Sequence, residues 1–315
     1  MREAEATRMK VVVLLGWPAW SSLSPVVHEA GFRAVGLNWR YLPLDIPPGC
    51  LSVARTVLGS PSVAGANVTM PHKEDVLALV DALTPRAKAA RAVNTIIKKD
   101  GLLTGDNTDG CGLLQALAAK GATPTGRKVV FFGAGGAARG CAAGLVQAGA
   151  CEIVVLNRSL DRAAALVNSM SAGGAGKLRA SVHRWFHEDE DARLLADVME
   201  GAGVVVNATP VTRKPGASPI PVETLGRLRL SRDCVFCDMV YRPAVTGFLQ
   251  QGQALGLPVV SGLEVLLYQA VPAFEAWTGR CAPVGVMQAA LLSAAARDGV
   301  PGGDQLGFAQ VSDGW

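Results

Sequence analysis

The sequence lacks a surplus of charge of either sign. Its 315 residues include 30 lysines and arginines against 26 aspartates and glutamates, which gives a formal net charge of +4. The basic residues are scattered rather than gathered in one block, so a patch that would bind nucleic acid or an anionic membrane is not expected. We expect a small dissolved molecule as the ligand, with no nucleic-acid or membrane partner.

Segments that send a chain to another compartment are also lacking. The first ten residues mix acids with bases and have no long apolar core, unlike a signal peptide. The apolar run 129–150 contains Arg139, Gln147 and several glycines, which are costly in a lipid-facing helix. The seven cysteines are odd in number, which argues against a disulfide framework. We expect a soluble, cytoplasmic protein.

Metal-binding patterns are scarce as well. The sequence has four histidines and one CxxC pair, Cys234 and Cys237, with no second pair or histidine near it. We interpret this pair as two positions of a buried strand and expect no metal site. Of the histidines, only His72 lies beside the polar residues discussed below.

What the sequence does contain is an alternation of short apolar runs with amphipathic stretches. Half of its residues are hydrophobic, and its length is typical of two domains. This pattern predicts an α/β fold with mostly parallel sheets. Predicted strands lie at 11–15, 37–41, 63–68, 96–98, 102–104, 128–132, 153–156, 204–206, 235–240 and 259–260.

Helices are predicted between these strands. The first begins at Ser24-Pro25, with serine as the cap and proline at the first helical position. Further helical spacing occurs at Val76, Leu79, Val80 and Leu83, over 112–120, over 160–167 and from Gly262 onward. We expect 171–177 to be a loop and the last sixteen residues to be frayed.

A glycine-rich segment follows the predicted strand 128–132 directly and leads into a helix. In GAGGAARG, Gly133 would allow a tight turn, and Gly135 and Gly136 would let backbone N–H groups approach a pyrophosphate. The start of the helix adds favourable partial charge. This context predicts dinucleotide binding.

The end of the next strand indicates which dinucleotide is bound. Where an NAD site has an acid for the ribose 2′-hydroxyl, this chain has Asn157-Arg158-Ser159, with Arg162 one turn later. Two guanidinium groups and a hydroxyl can bind a 2′-phosphate that an acid would repel. The segment therefore favours NADP over NAD, although Asp161 stands beside these arginines.

Polar residues of the first third fall on predicted strand ends and turns, where a parallel sheet would bring them together. Hydroxyls, carboxamides, one lysine and one carboxylate suit a small polyhydroxylated ligand. They are Ser22, Ser24, Asn67, Thr69, Lys73, Asn94, Asn107, Thr108 and Asp109.

Nine segments of the chain together resemble the shikimate dehydrogenase family and keep the order of that family. Several motifs in register are far more specific than any one of them. The segments are SSLSP (21–25), NVTMPHK (67–73), AVNT (92–95), GDNTDG (105–110), GAGGAAR (133–139), NRS (157–159), NATP (207–210), DMVYRP (238–243) and GLEVLLYQAVPAFEAWTG (262–279).

The resemblance implies NADPH-dependent, reversible reduction of 3-dehydroshikimate to shikimate in aromatic amino-acid (chorismate) biosynthesis. It implies that the substrate carboxylate is held by Ser22, Ser24 and Tyr241, and the ring hydroxyls by Thr69, Asn94 and Gln269. It implies Lys73 as the general acid/base and Asp109 as its partner, with further cofactor contacts from Ala137, Thr209, Met239 and Gly262. A lysine beside a carboxylate can exchange the hydroxyl proton that hydride transfer requires.

Two alternatives stay open at this point. One is a quinate/shikimate dehydrogenase that uses NAD or both cofactors, because Trp20-Ser21 departs from the isoleucine and histidine usual in the family. The segment 211–214 and Val265 depart from the family as well. The other is a non-catalytic regulator that binds NADP and shikimate; the presence of both Lys73 and Asp109 argues against it.

The same resemblance divides the chain into two domains with a cleft between them. Residues 1–109 and 262–315 are expected to form the substrate domain, and 110–261 a Rossmann-like NADP-binding domain. The sequence does not determine the oligomeric state, and a homodimer is one open alternative.

Overall fold

The computed structural model describes residues 9–171, 178–185 and 192–297 of the chain. Within these ranges, two six-stranded sheets are each flanked by helices, which confirms the predicted α/β class. The first sheet uses strands between Lys10 and Asp106, and the second uses strands between Lys128 and Val260. The chain therefore completes one sheet before it begins the other.

The first sheet is mostly parallel, as predicted. Its strands are β1 (Lys10–Gly16), β2 (Trp39–Asp45), β3 (Val63–Val68), β4 (Ala82–Leu83), β5 (Thr95–Lys99) and β6 (Leu102–Asp106). They lie in the order β2-β1-β3-β5-β6-β4. Only β5 runs antiparallel to its neighbours, since it forms the predicted hairpin with β6. Polar residues after β1 and β3 thus leave the same edge of the sheet.

The second sheet is parallel throughout. It consists of β7 (Lys128–Phe132), β8 (Glu152–Asn157), β9 (Arg179–Arg184), β10 (Ala202–Asn207), β11 (Val235–Asp238) and β12 (Val259–Val260). The order β12-β11-β10-β7-β8-β9 reverses direction between β7 and β10. Ligands of such sheets bind outside the carboxyl ends of the strands at this reversal. The glycine-rich segment after β7 lies there.

Helices cover both sheets. They are α1 (Ser24–Ala34), α2 (Val53–Gly59), α3 (Pro85–Ala90), α4 (Asp109–Ala118), α5 (Gly136–Gln147), α6 (Leu160–Ser171), α7 (Ala192–Met199), α8 (Val222–Leu225), α9 (Gly247–Ala254), α10 (Gly262–Thr278) and α11 (Val284–Arg297), with 3-10 helices at Asp75–Leu79 and Pro210–Arg213. Among the described residues, no helix is long and apolar enough to cross a membrane.

The two last helices return to the first sheet. α10 begins with a capping box, in which Ser261 and Glu264 each accept from the other's backbone N–H, and it ends at Gly279 with φ of 64°. It packs against α4 and α1, and α11 also packs against α1. A buried core that includes Leu14, Phe131 and Phe274 continues from the first sheet to the second.

The segment after Pro71 differs from the prediction. Its helical spacing produces only the short 3-10 helix Asp75–Leu79, and Ala82–Leu83 forms strand β4 instead. Asp81 explains the change: its N–H donates to Leu103 O, and its carboxylate accepts from Leu103 N–H, both at 2.8 Å. These bonds hold the chain against β6, so tertiary pairing overrides the local pattern.

Other boundaries differ by a few residues. The cap of α1 is Leu23 rather than Ser24, which is already helical. β11 ends at Asp238, two residues early, because its carboxylate accepts from Val240 N–H at 2.9 Å and turns the chain. α4 begins three residues before its predicted start, α6 extends four residues past its predicted end, and β9 was not predicted. The predictions for 172–177 and for the tail from Val300 lie outside the described residues.

Candidate active site

The predicted catalytic residues are in direct contact. Lys73, in the loop after β3, lies with its Nζ 2.6 Å from Asp109 Oδ2 at the start of α4. Their side chains are only 13% and 6% exposed. Lys73 is therefore not an ordinary surface lysine. The Asp109 carboxylate does not cap α4, since the residue before it is the cap and Asp109 turns to the lysine and to Asn94.

Buried amides hold the carboxylate in place. Asn94 Nδ2 donates to Asp109 Oδ1 at 2.9 Å and also lies 3.3 Å from Gln269 Oε1 of α10. Asn94 Oδ1 accepts from Thr108 N–H at 2.8 Å and from the Thr95 hydroxyl at 2.9 Å. These bonds fix the orientation of the Asn94 amide, so that its nitrogen must face Asp109 and Gln269. The structure thus brings Lys73, Asp109, Asn94 and Gln269 together.

The predicted carboxylate-binding hydroxyls form the next part of the site. Ser22 Oγ donates to Ser24 Oγ at 3.1 Å, and Ser24 N–H donates to Ser22 Oγ at 3.1 Å. Ser24 also hydrogen-bonds the Tyr41 hydroxyl, which donates to Asn67 Oδ1 at 2.7 Å. Burial raises the pKa of Tyr41, an effect that the Ser24 hydrogen bond partly offsets. Tyr41 is therefore a neutral donor that connects the serines to Asn67.

Asn67 links Tyr41 to Asn94 and Thr95. Its Nδ2 donates to the backbone oxygen of Asn94 at 3.0 Å and to Thr95 Oγ1 at 3.1 Å. Thr69 follows on the same strand end, where Gly16 leaves room for it: a Cβ atom at position 16 would lie 2.3 Å from the Thr69 methyl group. Tyr241, in the segment after β11, lies close enough to Tyr41 to influence its pKa.

His72 has a structural place beside Lys73. It is fully buried, and its Nε2 lies 2.6 Å from the backbone oxygen of Ile46. This contact ties the loop after β3 to the end of β2. Nε2 thus faces the backbone, and Nδ1 has no hydrogen-bond partner among the described residues. His72 therefore positions the loop that carries Lys73.

The glycine-rich loop fits the phosphates of a dinucleotide. Gly133 has φ of 102°, a conformation that side chains rarely adopt, and a Cβ atom at Gly135 would stand in open space. Gly136 begins α5, with Ala137 in its first turn, and no acid stands there to oppose an anion. Gly135 is thus the point where a pyrophosphate can approach the helix N-terminus.

Gly136 has a second neighbour that the sequence did not indicate. A Cβ atom at this position would lie 2.7 Å from Cβ of Lys73. The loop after β3 and the start of α5 are therefore packed together, and the predicted cofactor loop touches the lysine stem.

The predicted 2′-phosphate residues lie where β8 ends and α6 begins. Asn157 Nδ2 donates to Ser159 O at 2.8 Å, Ser159 Oγ accepts from Arg162 N–H at 3.3 Å, and Arg158 is exposed. Arg162 is already engaged, since its guanidinium lies 3.3 Å from the carboxylate of Glu74. The acid that pairs with Arg162 is thus Glu74, from the loop after β3, and not the neighbouring Asp161.

The remaining predicted cofactor residues, Thr209, Met239 and Gly262, follow strands of the second sheet. The Thr209 methyl group lies 3.1 Å from the Cβ position of Gly133, and the Thr209 hydroxyl donates to Asn207 Oδ1 at 2.6 Å. Met239 Sδ lies 3.8 Å from the thiol of Cys141 on α5. Gly262 packs against the backbone of residues 239 and 240, where a side chain would not fit. All three stand at the carboxyl edge of the second sheet.

Several residues of the site were missed in the sequence. Thr95 lies within the segment 92–95 but had no assigned role there, although a buried hydroxyl needs a hydrogen-bond partner. Tyr41 was predicted only as a strand residue, and its buried hydroxyl was the available signal. No signal in the sequence indicated Glu74 or Arg139, because their contact joins segments 65 residues apart. The Arg139 Nε lies 3.1 Å from the Glu74 carboxylate.

A glycine loop at the reversal of a parallel sheet, packed against a buried lysine–carboxylate pair from a second α/β unit, is typical of two-domain dinucleotide-dependent dehydrogenases. Family comparison agrees. Residues 14–96 match the shikimate dehydrogenase substrate binding domain, 116–183 the shikimate / quinate 5-dehydrogenase family, and 262–292 the shikimate 5′-dehydrogenase C-terminal domain. The chain belongs to the shikimate dehydrogenase family, as its motifs predicted.

Individual relatives cover nearly the whole chain. A shikimate dehydrogenase (NADP(+)) from Symbiobacterium thermophilum is 40% identical over 90% of this chain and 94% of its own. The shikimate 5-dehydrogenase of Thermus thermophilus, solved with NADP(H) and shikimate, is 35% identical, with TM-score 0.75 over 91% of this chain and all of its own. The Listeria monocytogenes enzyme, solved with shikimate and NAD, is 30% identical, with TM-score 0.80 over 90% and 96%.

Proposed function

We propose that this protein catalyses the reversible, NADPH-dependent reduction of 3-dehydroshikimate to shikimate in the pathway to chorismate and the aromatic amino acids. The observation that carries the proposal is the Lys73–Asp109 contact of 2.6 Å, surrounded by the amides of Asn94 and Gln269 and placed against the cofactor loop at Gly136. Two relatives named shikimate dehydrogenase (NADP(+)), which are 40% and 41% identical over 90% of this chain, support the proposal.

The substrate would be held by neutral donors and acceptors. Ser22 and Ser24, with Tyr241, would bind its carboxylate. Thr69, Asn94 and Gln269 would bind the ring hydroxyls. Because Asn94 already contacts both Asp109 and Gln269, a ring hydroxyl bound to these amides would lie beside the Lys73–Asp109 pair.

Lys73 would move the proton. In reduction, the oxygen that becomes an alkoxide takes a proton from Lys73 Nζ, and in oxidation the lysine accepts the hydroxyl proton. Asp109 keeps the ammonium group in place and balances its charge. General acid/base help of this kind is worth roughly 10²–10⁴-fold in rate.

The residues around the second sheet fit NADP. When bound, its nicotinamide supplies or accepts the hydride. Gly135 and the N-terminus of α5 would hold the pyrophosphate, Arg158, Ser159 and Arg162 the 2′-phosphate, and Thr209, Met239 and Gly262 would border the nicotinamide half. The open space at Gly135 and the positive φ of Gly133 are what such a ligand requires.

The proposed domains correspond to the two proposed roles, substrate binding and cofactor binding. The substrate domain comprises residues 1–109 and 262–315, and the cofactor domain comprises 110–261. The packing of α10 and α11 against α1 and α4 supports the return of the chain to the first unit.

An absorbance assay at the reduced-nicotinamide band tests the proposal. We expect turnover with shikimate and NADP+, and slower turnover when NAD+ replaces NADP+. A higher kcat/KM for quinate than for shikimate would instead assign the protein to quinate oxidation. Binding of shikimate and NADP+ by calorimetry without turnover would show a non-catalytic regulator.

A further inference from the structure

Glu74 connects the two halves of the molecule. It follows Lys73 in the loop after β3, and its carboxylate contacts two arginines of the second unit: Arg139 on α5 at 3.1 Å and Arg162 on α6 at 3.3 Å. The two arginines differ in environment, since Arg139 is 7% exposed and Arg162 is 60% exposed. One carboxylate thus neutralises a buried cation and, at the same time, occupies an exposed one.

The exposed arginine is one of the groups assigned above to the 2′-phosphate. If Arg162 binds the 2′-phosphate while it keeps its contact with the Glu74 carboxylate, the two anions lie beside each other. Glu74 cannot withdraw far, because the stem of the preceding Lys73 is packed against Gly136 and Arg139 retains its other oxygen. A phosphate on Arg162 would therefore face the negative charge of Glu74 at close range.

We propose that Glu74 is a specificity-determining residue that competes with the 2′-phosphate of NADP for Arg162 and so limits the preference for NADP over NAD. This inference rests on the proposed function for the identity of the cofactor. NAD carries an uncharged hydroxyl at this position, so its affinity does not suffer from charge repulsion by Glu74. The Glu74–Arg162 ion pair joins the two units, and Glu74 directly follows the proposed catalytic Lys73. When NADP breaks this ion pair, it therefore breaks a contact between the two units.

Binding measurements isolate the effect, because NADP+ and NAD+ differ only in the 2′-phosphate. The quantity is the ratio of the Kd for NAD+ to the Kd for NADP+, measured by calorimetry without shikimate on the full chain. In Glu74→Gln we expect this ratio to rise about two- to fivefold, the worth of a partly exposed ion pair. Since both Kd values come from one preparation, a partly inactive variant still yields a valid ratio.

Two controls test whether the effect acts through Arg162. Asp75→Asn removes the same charge from the next residue, which is exposed and forms no ion pair among the described residues, and it should leave the ratio unchanged. In an Arg162→Gln background, Glu74→Gln should no longer raise the ratio. If Glu74→Gln does not fold, Glu74→Asp keeps the charge with a shorter reach and should still raise the ratio.

The outcomes separate this inference from the proposed function. An unchanged or lower ratio in Glu74→Gln, an equal rise in Asp75→Asn, or an equal rise without Arg162 would each overturn the role of Glu74. None of these results bears on shikimate turnover, which is measured separately. A wild-type protein that binds NAD+ as tightly as NADP+ would contradict the assigned cofactor, whereas the role of Glu74 is decided by the change of the ratio in Glu74→Gln.

Discussion

Gly136 of α5 and Lys73 of the loop after β3 touch, with only 2.7 Å between Lys73 Cβ and the place where a Cβ of residue 136 would be. One turn later on the same helix, a Cβ atom at Gly140 would lie 2.9 Å from Cβ of Asp109. The two members of the proposed catalytic pair therefore each rest against a glycine of the cofactor-side helix. This packing couples the position of α5 to the distance between Lys73 and Asp109.

Gly136→Ala should lower kcat by about tenfold or more, because the added methyl group meets the lysine stem near the backbone, where it cannot swing aside. Gly135→Ala is the matched control, since its Cβ atom meets nothing within 4 Å. That variant should raise the KM for NADP+ with a smaller effect on kcat. Steady-state kinetics of both variants decides the matter, and equal effects on kcat would contradict the packing argument.

Lys73→Met should lower kcat by roughly 10²–10⁴-fold, because the proton donor is lost while the apolar stem is kept. The Kd for NADP+, measured by calorimetry, should change little. Gln115→Met, farther along the helix α4 that Asp109 begins, serves as the control for an introduced methionine. If the Kd for NADP+ worsens as much as kcat, Lys73 is a binding residue and its assigned role is wrong.

Ser24→Ala should raise the KM for shikimate more than it lowers kcat, because the proposed partner of this hydroxyl is the substrate carboxylate and not the reacting carbon. The change also removes the hydrogen bond to the Tyr41 hydroxyl. Tyr41→Phe separates the two effects, since it keeps the Ser24 hydroxyl and removes the tyrosine partner, together with the hydrogen bond of that partner to Asn67. A KM that rises equally in both variants would show that Ser24 acts through Tyr41 rather than on the substrate.

The sequence was most informative where one local pattern determined the outcome. Strand β7 and the glycines after it were predicted because a buried apolar run followed by glycine has few alternatives. Lys73 and Asp109 were identified by resemblance, since nothing local to either residue indicates the other, 36 positions away. Glu74 could not be identified in this way: its partners lie on α5 and α6, and the contact exists only once both units are folded and packed.

The same distinction explains the local errors. The segment containing Val76 and Leu83 has helical spacing, yet the backbone and carboxylate of Asp81 pair with Leu103 and draw it onto the sheet. β9 lacks an apolar run, because it is an edge strand and its side chains are half-buried or exposed. In both cases the strand is determined by a pairing partner far away in the sequence, β6 for Ala82–Leu83 and β8 for β9.

His28 of α1 predicts an acid-sensitive fold. The ring is fully buried, stacks on Tyr41 with ring centres 4.9 Å apart, and neither nitrogen has a hydrogen-bond partner among the described residues. Burial lowers the pKa of His28 from 6.5 to about 3. Between these values the unfolded chain binds a proton that the folded chain does not, so stability falls as the pH drops below 6.5.

At pH 5 this single group should cost the fold about 2 kcal/mol relative to pH 8, where the histidine is neutral in both states. His28→Phe keeps a ring against Tyr41 but cannot bind the proton. Any packing cost of the larger ring appears equally at both pH values, so it cancels when the two are compared. Urea unfolding of both proteins at pH 5 and pH 8 should show a smaller loss of stability in the variant, by about the same 2 kcal/mol. If both proteins lose the same stability on acidification, His28 is not the group responsible, and its ring must gain a proton in the folded state.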